Sequence, residues 1–148
     1  MTGEDRIPGS YPHSVPGACA NHLLPAQAGF MRAKDVLGRR GEELAAGYLK
    51  AQGMRILDRN WRCSEGEVDI VALDGDTLVI AEVKTRRSLA YGHPFEAVGV
   101  DKLARLHRLA SAWCRHHELR MPLRRVDVLA VLDDGTGDPA VEHLKGVG

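Results

Sequence analysis

Residues 66–87, GEVDIVALDGDTLVIAEVKTRR, set two β-rich runs around a DGD turn signal, each apolar near the turn and charged away from it. This hairpin constrains the fold more than any other stretch. Side chains alternate along a strand, so Leu78, Ile80, Glu82 and Lys84 share one face, while Val79, Ala81, Val83 and Thr85 share the other. On the preceding run Glu67, Asp69, Val71 and Leu73 share a face by the same rule. A two-residue Gly75-Asp76 turn, or a four-residue turn from Asp74 to Thr77, sets Leu73 against Leu78, Asp69 against Glu82 and Glu67 against Lys84. An Asp74-Gly75 turn pairs Glu67 with Glu82 instead and keeps the acids on one face. Either register gathers carboxylates at one end of a strand pair, which destabilises a sheet unless a cation lies between them.

The flanking segments supply helices. AKDVLGRRGEELAAGYLKAQG carries Leu37, Gly41, Leu44, Ala45, Tyr48 and Leu49 on one stripe, which predicts a helix over about 36–51, with Asp35 as N-cap and Gly53 as the stop. MRILDRNWRC reads as a first strand ahead of the hairpin. Leu103, Leu106, Ala110, Trp113 and His117 predict a second helix over about 101–117, capped by Asp101. RRVDVLAVLD reads as a fourth strand and AVEHLKGV as a weaker fifth, split by the loop DGTGDP. The order αβββαβ, with that extra strand, predicts a mixed sheet with helices packed on it.

Residues 1–32 hold four prolines and four glycines without sustained periodicity and read as a disordered N-terminal extension. They lack the basic and apolar regions of a secretory signal. Met31, just ahead of the first periodic segment, is the expected translation start. A chain of 148 residues leaves room for one domain, residues 33–148. No stretch approaches the roughly 20 apolar residues of a membrane span. Cys19, Cys63 and Cys114 are odd in number and far apart, matching free thiols in a reducing cytoplasm rather than a disulfide framework or thiolate zinc site.

The net charge of zero conceals an uneven distribution. From Lys84 to Arg125 ten Lys or Arg face three acids, and after Val126 five acids face Lys145 alone. The middle segment therefore suits an anionic partner. Arg86 and Arg87 follow the charged strand end, and Lys102, Arg105 and Arg108 lie mostly off the apolar stripe of the second helix, an arrangement that fits phosphate tracking or an ordinary solvated face. No aromatics interleave with them, so duplex or branched DNA is a better match than a stacked single strand.

Two hard carboxylates, Asp69 and Glu82, suit Mg²⁺ or Mn²⁺, which take oxygen ligands and retain waters that a phosphate can replace. Lys84 is spaced to position or deprotonate a water, or to neutralise charge on a phosphate under attack. Glu42 lies on the flank of the first helix's apolar stripe, in line with Ala45 and Leu49, and joins them as a candidate, whereas Glu43 points to solvent. An isolated E-x-K on a strand is usually a surface ion pair. Here it follows LVIA instead of an alternating polar pattern, and a second acid-bearing strand precedes it.

Glu42 in GRRGEELAAGYL, Asp69 in GEVDIVALDGDTLV and Glu82 with Lys84 in AEVKTRR resemble the P-D-(D/E)-x-K nuclease superfamily. More closely, residues 34–145 resemble the YraN-like family of uncharacterised bacterial proteins, similar to archaeal Holliday-junction resolvases. RNWRC, YGHPFEAV and RRVDVLAV belong to that match. The resemblance implies a restriction-endonuclease-like αβββαβ core in which Asp69 and Glu82 bind metal, Lys84 serves catalysis and Glu42 assists. Val68 stands where the superfamily's proline would be. The resolvase likeness also suggests a homodimer.

Adjacent His116 and His117 cannot share a metal from a helix, so His117 is expected to pack and His116 to face solvent. His93 reads as a loop histidine, and Trp61 and Trp113 as core. The expected function is metal-dependent phosphodiester hydrolysis on DNA. A non-catalytic nucleic-acid-binding module and a protein-interaction scaffold are the rival readings.

Overall fold

Every residue from Leu78 to Val83 is buried, so this strand must be covered on both faces. The computed structural model describes residues 33–90 and 92–147. The expected N-terminal extension and the start at Met31 lie outside them. In chain order the elements are α1 (Ala33–Ala51), β1 (Arg55–Cys63), β2 (Gly66–Asp74), β3 (Thr77–Arg86), a short 3₁₀ turn (Pro94–Ala97), α2 (Val100–His116), β4 (Arg124–Leu132) and β5 (Ala140–Leu144). The strands lie side by side in chain order, antiparallel except where β4 runs parallel to β3 after the α2 crossover. This is the expected αβββαβ order and mixed sheet, with the fifth strand on the edge. Among the described residues no helix is long and apolar enough to cross a membrane.

The two helices cover opposite faces of the sheet. Ala45, Ala46 and Leu49 of α1 pack with Ile70, Ala72, Val79, Ala81, Val83, Leu129 and Val131. Leu106, Leu109, Ala110 and Trp113 of α2 pack with Val71, Leu73, Leu78, Ile80 and Val126. A fully buried leucine such as Leu49 or Leu109 contributes roughly 1.5–3 kcal/mol.

Several terminal details differ from the sequence reading. The first helix begins at Ala33, which places Asp35 inside its first turn and not at the cap. Its end is as expected: Gly53, at φ +90°, donates to Lys50 O while Met54 donates to Leu49 O at 3.0 Å, a Schellman close. The cap of α2 is Gly99, with Asp101 in the first turn, where its charge complements the helix dipole. His117 leaves the helix as its C-cap and stacks on Trp113 at 4.2 Å. His116 is half-buried with its ring 6.0 Å from that of Trp61, not facing solvent, because the helix ends there over the β1 tryptophan. His93 is a loop residue whose Nδ1 caps the 3₁₀ turn by accepting from Phe95 N.

In the first half of β4, Asp127 is fully buried and accepts from Arg125 Nε at 2.8 Å and from Gly146 N at 3.0 Å, with His143 Nε2 at 2.7 Å. Burial pushes its carboxyl up, and these partners more than offset that, leaving it below the ordinary carboxylate value. The contacts hold β5 and the tail against β4.

Gly41 is the close approach between α1 and β3. A Cβ there would overlap the side chain of Thr85, whereas Gly47 has open space. Ordinarily Gly→Ala inside a helix stabilises by about 1 kcal/mol. Gly47→Ala is expected to raise the urea midpoint accordingly. Gly41→Ala should lower stability by roughly 1–3 kcal/mol, with Thr85→Ala in the same chain recovering part of the loss.

Candidate functional site

The β2–β3 hairpin closes through Asp74–Thr77 and Leu73–Leu78 pairs, the register of a two-residue Gly75-Asp76 turn. That register carries Asp69 toward Glu82. The paired ladder runs only as far as Ile70–Ala81, because the Asp69 carboxylate then takes the place of a strand carbonyl: Oδ2 accepts from Val83 N at 2.8 Å. The strands part there, so the expected Lys84–Glu67 pair does not form. Glu67 is exposed and bridges to Arg62 on β1 instead.

The alternation expected along β2 also breaks at this point. Val68, Val71 and Leu73 all join the α2-side core, while Ile70 and Ala72 join the α1-side core, so Glu67, Asp69, Val71 and Leu73 do not form one continuous face. The neighbouring strand keeps its register past this point. Asn60, between the Arg59–Ile70 and Trp61–Val68 pairs, has φ +52°, a conformation that Asn tolerates better than most residues. The twist turns the Asn60 amide to the Glu42 carboxyl of α1, to which it hydrogen-bonds.

Glu82 is only 5 % exposed. Its Oε2 receives Lys84 Nζ at 2.9 Å from the same strand face and Lys102 Nζ at 3.2 Å from the first turn of α2. Asp69 has a different environment. Burial first, and then the negative charge of Glu82, push its carboxyl up to about 7; the Val83 N–H opposes the shift, and Glu42 and Glu67 add to it. Burial likewise raises Glu42, partly offset by the Asn60 hydrogen bond. Glu43 is exposed and pairs with Arg59. Glu42, Asp69, Glu82 and Lys84 are thus neighbours around the end of the β2–β3 pairing, joined by Lys102 and Asn60.

The basic residues divide between two places. Lys102 is engaged with Glu82, and Arg105 and Arg108 are exposed on α2. Arg86 donates to its neighbour Thr85 O, and Arg87 lines a cleft of about 530 Å³ with Val36, Leu37 and Arg40 of α1, on the other side of the sheet. Lys102 as a partner of Glu82, and Asn60 as a partner of Glu42, are absent from the sequence reading. Asn in the middle of a β-rich run was the available signal for Asn60; for Lys102, only the placement of α2 over the strand end reveals it.

Among the described residues no group of three or more His, Cys, Asp or Glu side chains is gathered as a metal-binding cluster. The arrangement offers two carboxylates flanked by two ammonium groups. Such a set can hold a hard cation through few protein oxygens, or hold an anion through the lysines once the carboxylates are otherwise engaged.

A family model described as uncharacterised protein family UPF0102 matches residues 41–131. The chain is 87 % identical over 118 residues to a UPF0102 protein of Arthrobacter sp. (strain FB24), covering 80 % of this chain and all of the relative. A UPF0102 protein of Pseudarthrobacter chlorophenolicus is 79 % identical, over 79 % of this chain and 89 % of its own length. One from Beutenbergia cavernae is 55 % identical, over 80 % of this chain and all of its own.

The raised Asp69 carboxyl gives a pH test. Its folded value lies above the ordinary carboxylate value, so the folded state holds the proton more tightly, and stability falls as pH rises from about 4 to about 7, by at most about 1.4 kcal/mol per unit. In chelator, Asp69→Asn is expected to match wild type near pH 4–5 and to exceed it by roughly 1–3 kcal/mol at pH 8 in urea unfolding. A difference independent of pH would contradict this account of the site.

Proposed function

The chain belongs to the uncharacterised protein family UPF0102, and we propose that it is a metal-dependent nuclease that hydrolyses phosphodiesters of duplex or branched DNA. The observation that carries this reading is half-buried Asp69 beside buried Glu82 at the parting of β2 and β3, with Lys84 on Glu82. A carboxyl raised by burial and by a neighbouring carboxylate is a feature concentrated at functional sites. The donor set fits Mg²⁺ or Mn²⁺: Asp69 and Glu82 supply two hard oxygen ligands, and such ions complete their shell with waters and substrate phosphate instead of a third side chain. Held there, a divalent ion would supply Lewis-acid activation of water and charge neutralisation at phosphorus.

The residues of the chain have distinct parts in this scheme. Asp69 is fixed by the Val83 N–H, so its free oxygen is pre-oriented. Lys84 stands beside Glu82 on the strand, where its ammonium holds a phosphate oxygen or orients the attacking water. Glu42, turned by Asn60, adds acceptor capacity on the α1 side for ordered water. Arg105 and Arg108 extend the positive surface along α2 and contact phosphates without reading sequence.

Calorimetry with Mn²⁺, followed by incubation with linear, flapped and four-way DNA, tests the proposal. Wild type is expected to bind the ion and cleave at least one DNA form, Asp69→Ala to lose ion binding, and Lys84→Ala to keep the ion while cleavage drops roughly 10²–10³-fold. Identical DNA traces for wild type and Lys84→Ala would end the enzymatic reading. Salt-dependent DNA binding without cleavage would leave a binding module; no DNA binding would leave a scaffold.

A further inference from the structure

Glu82 carries more positive charge than one carboxylate needs. Lys84 and Lys102 both reach Oε2, at 2.9 and 3.2 Å, although the side chain is almost wholly buried. Asp69 does not share this load, since its bonded oxygen accepts from the Val83 N–H. The two lysines also differ in attachment. Lys84 belongs to a strand paired along its length with β4, while Lys102 sits in the first turn of α2, and its side chain is 34 % exposed. One turn further along α2, exposed Arg105 lies with its Cδ near Gly66 at the β1–β2 turn. Lys102 is therefore both the inner end of a basic ridge and a ligand of the site carboxylate.

An ion bound by Glu82 competes with the two ammonium groups for the charge of one carboxylate, and once it is bound the ammoniums and the cation repel each other. A phosphate removes that repulsion. Resting on the function proposed above, we infer that Lys102 is a substrate-phosphate ligand held in reserve by Glu82: divalent-ion binding at Glu82 releases it, and the freed ammonium binds a phosphate of the nucleic acid. Ion and DNA affinities are then positively coupled through Lys102, and by linkage each raises the other equally.

The coupling is measurable without turnover. Fluorescence anisotropy of a labelled DNA duplex is recorded for wild type, Lys102→Gln and Lys102→Arg, in chelator and in Ca²⁺, another hard oxygen-seeking ion. Ion affinity without DNA is measured by calorimetry. Circular dichroism checks folding, which is expected to be unaffected at this partly exposed position. In chelator Lys102→Gln should bind DNA within about twofold of wild type, because Lys102 is then occupied by Glu82. In Ca²⁺ the affinity gain seen in wild type should shrink several-fold, and the slope of log K against log[salt] should fall by roughly one phosphate contact. Without DNA, Lys102→Gln should bind the ion more tightly than wild type, having lost one competitor. Lys102→Arg should preserve the coupling.

A merely structural lysine would lower ion affinity on removal, and a constant surface contact would weaken DNA binding equally with and without ion; either result overturns the inference. So does a Lys102→Gln protein identical to wild type in every arm, which leaves the nuclease reading standing if wild type binds ion and DNA. A wild type that binds no ion removes both.

Discussion

The hydrogen bond from Val83 N–H to Asp69 Oδ2 stands where a strand carbonyl would be, and the rest of the site depends on that substitution. A buried backbone donor must find an acceptor. By supplying one from a side chain, the protein stops the β2–β3 ladder without leaving the Val83 N–H unpaired. The strands can then part, while Glu82, on the same face as Leu78 and Ile80, meets Lys102 of α2. A regular ladder would have put two carboxylates directly opposite each other. The break keeps them neighbours while giving each its own surroundings.

Both helices are positioned to complete this opening. The absence of a side chain at Gly41 lets α1 come down onto Thr85, two residues beyond Val83, and this close contact sets the next residue, Glu42, beside the twist at Asn60. On the other face, α2 anchors through Leu106, Leu109 and Trp113, which leaves its first turn projecting over Glu82. Packing far from the charges thus fixes where the charges meet. An ion pair between elements so distant in sequence is not held by local propensity; it follows from the cores beneath.

Much of this was legible because it rests on period and turn chemistry. The alternation of LVIA with the DGD signal allowed the Leu73–Leu78 register, and the stripe of Leu44, Ala45 and Leu49 gave the buried side of α1. What escaped was non-local. Alternation assumes an unbroken ladder, so the Asp69–Val83 bond that ends the β2–β3 pairing removed the expected contact of Glu67 with Lys84. Cap assignments to Asp35 and Asp101 failed because an acid in the first turn and an acid at the cap are both favourable, and sequence alone does not separate them. The sequence groups Lys102 with Arg105 and Arg108 because its side of the helix is polar, and nothing in the helical period indicates a buried carboxylate beneath it.

The asymmetry between the two carboxylates bears on what the arrangement is for. Two ammonium groups converge on Glu82, while Asp69 is acted on by Glu82, Glu42 and Glu67 and relieved only by one N–H. For stability alone this is a poor distribution: sharing the lysines between the acids, or replacing Asp69 by an amide able to accept the same hydrogen bond, would remove like-charge repulsion from a buried place. A scaffold has no use for that penalty. The proposed cation site would, because an entering ion would remove the penalty and leave Lys84 and Lys102 placed for an anion. Like-charge repulsion at Asp69 and the proposed affinity for a cation there are in this sense the same free energy, which is the physical ground for preferring an ion-binding reading to a structural one.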